Sequence, residues 1–503
     1  RLFTIIKYYL GDIVMDANLE KRDEFAKLTT WDRVSYGFGD FAQNLVFGTV
    51  GGFLLFYLTN INGISAGVGA TIFLVVRWIN VVWDPWVGTV VDKAKITKNG
   101  KYRPFLLNFG IPLVILAALL FLPVAKVLGS GSAATVAYAT VSYMATALVY
   151  SFVNIPYGSL NASLTRDEME VSKLTSVRMM LANVGNLLVY TLFPLFVQLA
   201  SPNAKMTDTG LFGLKLKLGN YAAPSAAGAW FKVYGIYMLI GAVALFIAYR
   251  NTRERVLASE ESTDQVKYSD LFAELKRNAA LRNLGIFFLV GFTLMFFGNT
   301  VWPYFMQYNF GVEGGKSALM ASIGLIGSIP GIFLVVLWPK LRSTLGKKGF
   351  FFTFLSIFII GQLLLFAWSK NPSSDWLGFT GRFLQQWGLT SATGFMWALV
   401  PEVVSNGEYI SGKRVAGIIN AIMGLFFKIG LALGGIIPGY LLQIMHFKSG
   451  ALTQTASAQF GITLSMIWLP SILAVVAMIV ISRYPLSDAY VDKMNQELKE
   501  KNS

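Results

Sequence analysis

Apolar runs of about 20 residues recur along the whole chain, separated by short polar turns, and this pattern predicts membrane-spanning helices rather than globular amphipathic segments. Six spans are expected near 33–59, 66–92, 104–126, 133–158, 173–200 and 229–250. Six more are expected near 283–309, 317–338, 349–369, 376–402, 413–443 and 458–483. The order is then an N-terminal segment 1–32, a six-helix bundle 33–250, a polar and basic linker 251–282, a second bundle 283–483 and a tail 484–503. Residues 1–15 are apolar, but Lys7 and Asp12 interrupt them and no small-residue cleavage site follows, so neither a signal peptide nor a span is expected there, and an interfacial segment is one reading left open. The loop 201–228 is long and rich in Gly, Ala and Asn.

Polar residues inside these runs are the informative exceptions. In the second span Arg77, Asn80 and Asp84 stand in an apolar helix, and steps of three and seven residues turn a helix by about 300° and 700°, so the three share one narrow face. A charge at mid-bilayer costs roughly 2.5 to 3.5 kcal/mol on insertion scales, so that face must line a cavity or meet partners within a bundle. A transport pathway is the natural reading. Asp40 and Asn44 lie in the first span, Arg178 in the fifth, Arg382 in the tenth and Lys428 in the eleventh. Arg382, about six residues from its helix end, is expected to snorkel outward. Asp84 could pair with Arg77 on its own helix, and Asp40, Arg178 and Lys428 could be structural ion pairs.

Composition agrees with a membrane protein, since 54% of the 503 residues are hydrophobic and 14% charged. The net charge of +15 would suit nucleic acid, but about 30 of the 42 Lys and Arg fall on one set of alternate loops and tails. That asymmetry puts both termini in the cytoplasm, makes the protein a multi-pass component of the cytoplasmic membrane with the bilayer as partner, and argues against a nucleic-acid partner. There is no cysteine and one histidine, His446, so no thiol chemistry or transition-metal site is expected. Gly63-Ile64-Ser65-Ala66-Gly67 matches a nucleophile elbow in spacing but sits between two spans, where no strand precedes it. Neither an enzyme nor an ATP-driven pump is expected, because no Walker A sequence is present, and a gradient must supply the energy.

The turn after the second span of each half is basic and carries a Gly-Lys pair, Gly100-Lys101 and then Gly346-Lys347, a weak internal repeat. Gly88-x-x-x-Asp92-Lys93 followed by Gly100-Lys101-Tyr102-Arg103 resembles the loop signature of the major facilitator superfamily, with a longer insert between its parts. It implies an all-α integral membrane protein of twelve transmembrane helices in two bundles, the major facilitator fold, with Gly88, Asp92 and Lys93 as gating residues. Gly88 would permit close helix packing, and Asp92 would pair with a basic group nearby. A narrower resemblance rests on Tyr36-Gly37-Phe38-Gly39-Asp40, Trp83-Asp84-Pro85, the run Asn154-Ile155-Pro156-Tyr157-Gly158-Ser159-Leu160, Arg178, the run from Pro401 to Tyr409, and Phe427-Lys428-Ile429-Gly430. Six dispersed motifs in this order are similar to the glycoside/pentoside/hexuronide:cation symporter family, nearer its xyloside and glucuronide carriers than its melibiose carriers, which have Asp where this chain has Asn154.

The resemblance implies a secondary symporter in which Asp40, Asn154 and Arg178 bind the sugar. Lys428 lies between sugar and cation, and Asn80 and Asp84 occupy the cation-site positions. No cofactor is implied beyond a coupling cation. The family's second carboxylate is Asn80 here, which leaves a Na⁺ ion at Asp84 with one anionic ligand and favours H⁺. Sugar hydroxyls need paired donors and acceptors, which Asp, Asn and Arg supply, and Trp83, Tyr157, Trp302 and Trp397 are candidates to cover a pyranose face. The expected substrate is a small glycoside, xylosides before hexuronides, carried by a monomer. A sugar sensor without net transport and a lipid carrier of the same fold are the competing functions. A sensor has no need of Asp84, and a lipid carrier needs a lateral apolar opening.

Overall fold

The computed structural model describes residues 25–97, 99–165, 168–210, 214–255, 268–311, 315–411 and 416–502. The apolar stretch 1–15, whose reading is left open above, and residues 256–267 of the linker lie outside them. The first helix, Thr30–Thr49, opens on a capping box in which Thr29 and Asp32 each bond the other's backbone N–H, and it runs on through π-turns at Val50–Leu54 and Tyr57–Ile61. The second helix, Ala66–Asp92, is capped by Ser65, so the serine of the elbow-like motif serves as a helix start. The third is broken into Arg103–Asn108 and Gly110–Leu119, and the fourth is Ala133–Leu164. The fifth is Glu168–Leu187 extended by Phe193–Ala200, and the sixth is Ala227–Asn251.

In the second half the helices are Ala279–Tyr308, Met320–Phe333, Trp338–Lys370, Asp375–Met396, Ala416–Ile444 and the pair Ala456–Thr463 and Leu469–Ser482, followed by a tail helix Asp488–Asn502. Among the described residues eight helices are long and apolar enough to cross a membrane, while the third and eighth are shorter apolar helices. The first and tenth are diluted by polar residues such as Gln43 and Asn44, or Gln385 and Gln386.

The halves repeat one another in packing. The first helix lies against the fifth and sixth, and the seventh against the eleventh and twelfth. The Gly-Lys repeat has a structural basis, because Gly100 and Gly346 both take left-handed backbone, with φ of 98° and 70°, at the start of a third helix. After Gly100, the N–H groups of Lys101, Tyr102 and Arg103 donate to the Glu254 carboxylate at 2.8, 2.7 and 2.9 Å, just beyond the sixth helix. After Gly346, Lys347 donates to Glu402 and to the Leu486 carbonyl (3.0 Å) beyond the twelfth. Each half therefore ties the start of its third helix to the exit of its sixth. The chain is helical on both sides of the Gly346 kink, so a short helical stretch from Trp338 leads into the kink and the ninth helix proper starts just after it, close to the expected 349.

Packing between the halves is unequal at the two ends. Second meets eleventh, fifth meets eighth and first meets seventh. Away from the basic loops one hydrophobic core includes Phe56, Tyr221 and Trp230 of the first half with Tyr304, Trp368 and Phe447 of the second. Toward the basic loops the core divides into two clusters, one per bundle apart from a flanking Phe47. The far end is further joined by Thr59–Tyr304 (2.7 Å), Thr71–Tyr440 (2.9 Å) and the Gly67 N–H to Gln443 Oε1 (3.2 Å).

The loop after the fifth helix contributes to this seal in a way its composition did not foretell. Lys205–Asp208 and Lys215–Leu218 pair as an antiparallel hairpin. Ser322 of the eighth helix donates to the Thr209 carbonyl, Gly210 packs on Leu319 and Phe379, and Tyr221 Oη donates to the Pro303 carbonyl at 3.1 Å. An element of the first bundle is thus clasped on the second.

Candidate functional site

Between the bundles, where the basic ends part, the polar faces of the helices meet. Asp84 of the second helix accepts from Lys428 Nζ at 2.8 Å, an ion pair that crosses from one bundle to the other. Its second oxygen accepts from Ser151 of the fourth helix at 2.6 Å. Asn80, one turn away on the same face, holds its Oδ1 buried without a hydrogen-bond partner. Asp84 therefore pairs with Lys428 and not with Arg77. The guanidinium of Arg77 instead lies 6.0 Å from the Phe47 ring and near the Tyr143 hydroxyl.

The second polar group sits on helices one, four and five of the first bundle. Arg178 donates to Asp40 in a close ion pair, and the Arg178 guanidinium stands 5.4 Å from the Tyr157 ring. Tyr157 Oη accepts from the Asp40 backbone N–H (3.1 Å) and donates to the Tyr36 carbonyl (2.7 Å), while Tyr36 Oη donates back to the Tyr157 carbonyl (2.8 Å). The two rings stack 4.5 Å apart. A Cβ on Gly39 would come within 2.2 Å of the Tyr157 ring, so only glycine lets the first and fourth helices close here. Asn154, exposed to the cavity, donates to Gln43 Oε1 (2.9 Å) and Tyr150 Oη (3.1 Å). Tyr150 is within electrostatic reach of Asp40, Arg77 and Asp84, which places the two polar groups around one space.

Several expectations are corrected by the packing. Tyr157 and Trp302 are 1% and 2% exposed and cannot cover a sugar, while the Trp83 indole bonds the Leu148 carbonyl at 3.0 Å and packs on Trp86. Trp397 remains 44% exposed, against Phe288 and Phe427. Gly88 has nothing within 4 Å of where its Cβ would be, so no helix packs closely there in this conformation, in which the basic ends stand apart. Lys93 is exposed, and the Asp92 side chain lies outside the described residues. Arg382 does not snorkel. It lies 4.1 Å over the Trp302 ring and bonds Gln385 Oε1 at 2.7 Å, and Gln385 in turn bonds Gln362 at 3.0 Å. With its amide oxygen turned inward, Gln386 accepts from both terminal nitrogens of Arg382, at 3.2 and 3.0 Å. The helix-end distance that suggested snorkelling carries no trace of this amide shell. Gln43, Tyr150 and Ser151 complete the site and were not singled out from the sequence, where the only signal is their place beside Asn154 on the fourth helix or Asp40 on the first.

Two six-helix halves around a shared polar cavity define a transporter of the major facilitator type, not an enzyme. The family model described as MFS/sugar transport protein matches residues 35–488. The uncharacterized symporter YnaJ of Bacillus subtilis (strain 168) is 37% identical over 94% of this chain and 95% of its own length. The glucuronide carrier protein homolog of Escherichia coli (strain K12) is 30% identical over 90% and 92%, and the isoprimeverose transporter of Lactiplantibacillus pentosus 28% over 94% and 92%. Among solved structures, the D-xylose-proton symporter superposes with a TM-score of 0.61 at 13% identity, covering 91% of this chain and 98% of that one, which supports the fold. The chain belongs to the glycoside/pentoside/hexuronide:cation symporter family of the major facilitator superfamily.

Proposed function

We propose that this protein imports a small glycoside, a pentoside such as a xyloside or a hexuronide, together with a cation, H⁺ in preference to Na⁺, by alternating access across the cytoplasmic membrane. It would act as a monomer with its basic loops and both termini in the cytoplasm. The observation that carries this is the Lys428–Asp84 bridge between bundles, beside the Asp40–Arg178 pair. Sugar hydroxyls would bond Asp40, Arg178 and Asn154, with Trp397 as the remaining aromatic face.

Coupling follows from what Asp84 can hold. With a proton on Asp84 the bridge loses its charge attraction, and the Lys428 ammonium is released toward the sugar. Loss of that proton on the cytoplasmic side restores the bridge, withdraws Lys428 and loosens the sugar. A Na⁺ ion would find oxygens on Asp84, Ser151 and Asn80, but one anionic ligand and a competing ammonium. The gating motif, through Gly88, Asp92 and Lys93, would act when the basic ends close.

The test is uptake of a panel of labelled glycosides into proteoliposomes under imposed gradients. Accumulation driven by an acidic exterior without Na⁺ is expected. Uphill uptake that requires Na⁺ and ignores a collapsed pH gradient would replace H⁺ by Na⁺, held by those three oxygens.

A further inference from the structure

We propose that Arg77 recognises an acidic group, a carboxylate or a sulfonate, on the transported glycoside. Four cations lie inside the spans, and the structure accounts for three of them. Arg178 is neutralised by Asp40 and Lys428 by Asp84. Arg382 is enclosed within the second bundle by glutamine amides and the Trp302 face. Arg77 has no carboxylate within ion-pair distance among the described residues; its surroundings are Phe47 and the Tyr143 hydroxyl. A guanidinium carries five donors and a fixed charge, so one phenol leaves most of those donors to the water of the cavity, which an acidic ligand can displace. The described site groups therefore sum to one net positive charge.

The position of that charge is what gives it a role. Arg77 shares a helix face with Asp84, and the face points at the eleventh helix, since Asp84 bonds Lys428 there and Phe73, one turn beyond Arg77, meets Gly435 of the same helix. Arg77 is thus on the cavity wall, just below the level at which the bundles close. Seven residues of helix put it about 10 Å along the axis from Asp84, so a sugar ring held between the two would turn its acid toward Arg77. The planar fork of a guanidinium donates two parallel bonds to a carboxylate or sulfonate, in an environment of Phe47, Tyr150 and Phe296 that strengthens them. A neutral sugar would leave the positive charge uncompensated; an acidic one cancels it.

Recognition of an acid presupposes the glycoside substrate proposed above, and titration calorimetry on the purified carrier separates the two. The probes are methyl xyloside, methyl glucoside, methyl glucuronide and the 6-sulfonate of methyl glucoside. Wild-type protein is expected to bind one or both acids about tenfold more tightly than the glucoside, and the tighter acid identifies the group. Arg77→Gln should erase that preference while glucoside affinity stays within about twofold, and Arg77→Lys should keep part of it. Equal affinities for neutral and acidic sugars in the wild type, or a preference that survives in Arg77→Gln, would overturn the role of Arg77 and leave the glycoside substrate standing. Failure of all four sugars to bind would remove both. Should Arg77→Gln not fold, Arg77→Lys decides, since loss confined to the acids supports the role and an equal loss for all sugars refutes it.

Discussion

Individual residues carry the function here in proportion to how improbable they are in a bilayer. Asp40 and Arg178 form one pair, and truncating either to Ala removes a charge-assisted bond worth about 1.5 to 3 kcal/mol and strands the partner. Both variants should insert and fold, because the cavity lets water solvate the charge left behind, yet show no measurable sugar binding; unchanged affinity in either would take that residue out of the sugar site. Asp84→Asn should keep binding and downhill exchange but lose uphill accumulation, since the amide cannot carry a proton, and preserved accumulation would place coupling elsewhere. These acids and bases were legible in the sequence because a charge inside an apolar run is costly. Ser151, Tyr150 and Gln43 were not, for a hydroxyl or amide in a helix can bond its own backbone and is unremarkable in a span. The inward course of Arg382 is not legible, because the amides that hold it come from its own helix and the ninth, and the ring beneath it, Trp302, from the seventh.

At the scale of elements, the helix order was readable from apolar length, whereas the breaks were not. Strands of four residues, Lys-Met-Thr-Asp and Lys-Leu-Lys-Leu, are too short for period-two alternation to stand out from a polar loop. The Gly-Lys repeat gave a position without a purpose until Glu254 and Lys347 were seen to bind helix starts to helix exits. That anchor makes a pH prediction. Asp488 at the head of the tail helix is bonded by Arg342 (2.6 Å), and with Lys347 nearby its carboxyl is held below the ordinary carboxylate range. A depressed folded-state value means that the stabilisation is complete above the unfolded value of about 4 and is lost as pH falls through the lower folded value. Thermal unfolding in detergent should therefore show Asp488→Asn less stable than wild type at pH 7, with the difference shrinking below about pH 4. A gap that stays constant with pH would mean that the carboxylate charge contributes nothing.

For the whole molecule, the charge asymmetry and the apolar runs announced a two-bundle carrier, but no pattern in one sequence states which end is closed. The split core and the far-end bonds do, and the hairpin 205–218 with Tyr221 is the part of that closure peculiar to a long loop. Because the chain has no cysteine of its own, Asn299→Cys, on the seventh helix where the Asn299 amide donates to Tyr190 Oη of the first bundle, makes a single reporter between the bundles. In that background Tyr221→Ala should raise the labelling rate by an impermeant maleimide added outside several-fold; an unchanged rate would make the hairpin a passenger. The bolt has a price only when cargo must enter. Between transport cycles it is insulation: in the orientation proposed above, an empty carrier in this state offers the outer medium no wetted path to Asp84, and a gradient that drives it would not leak through it.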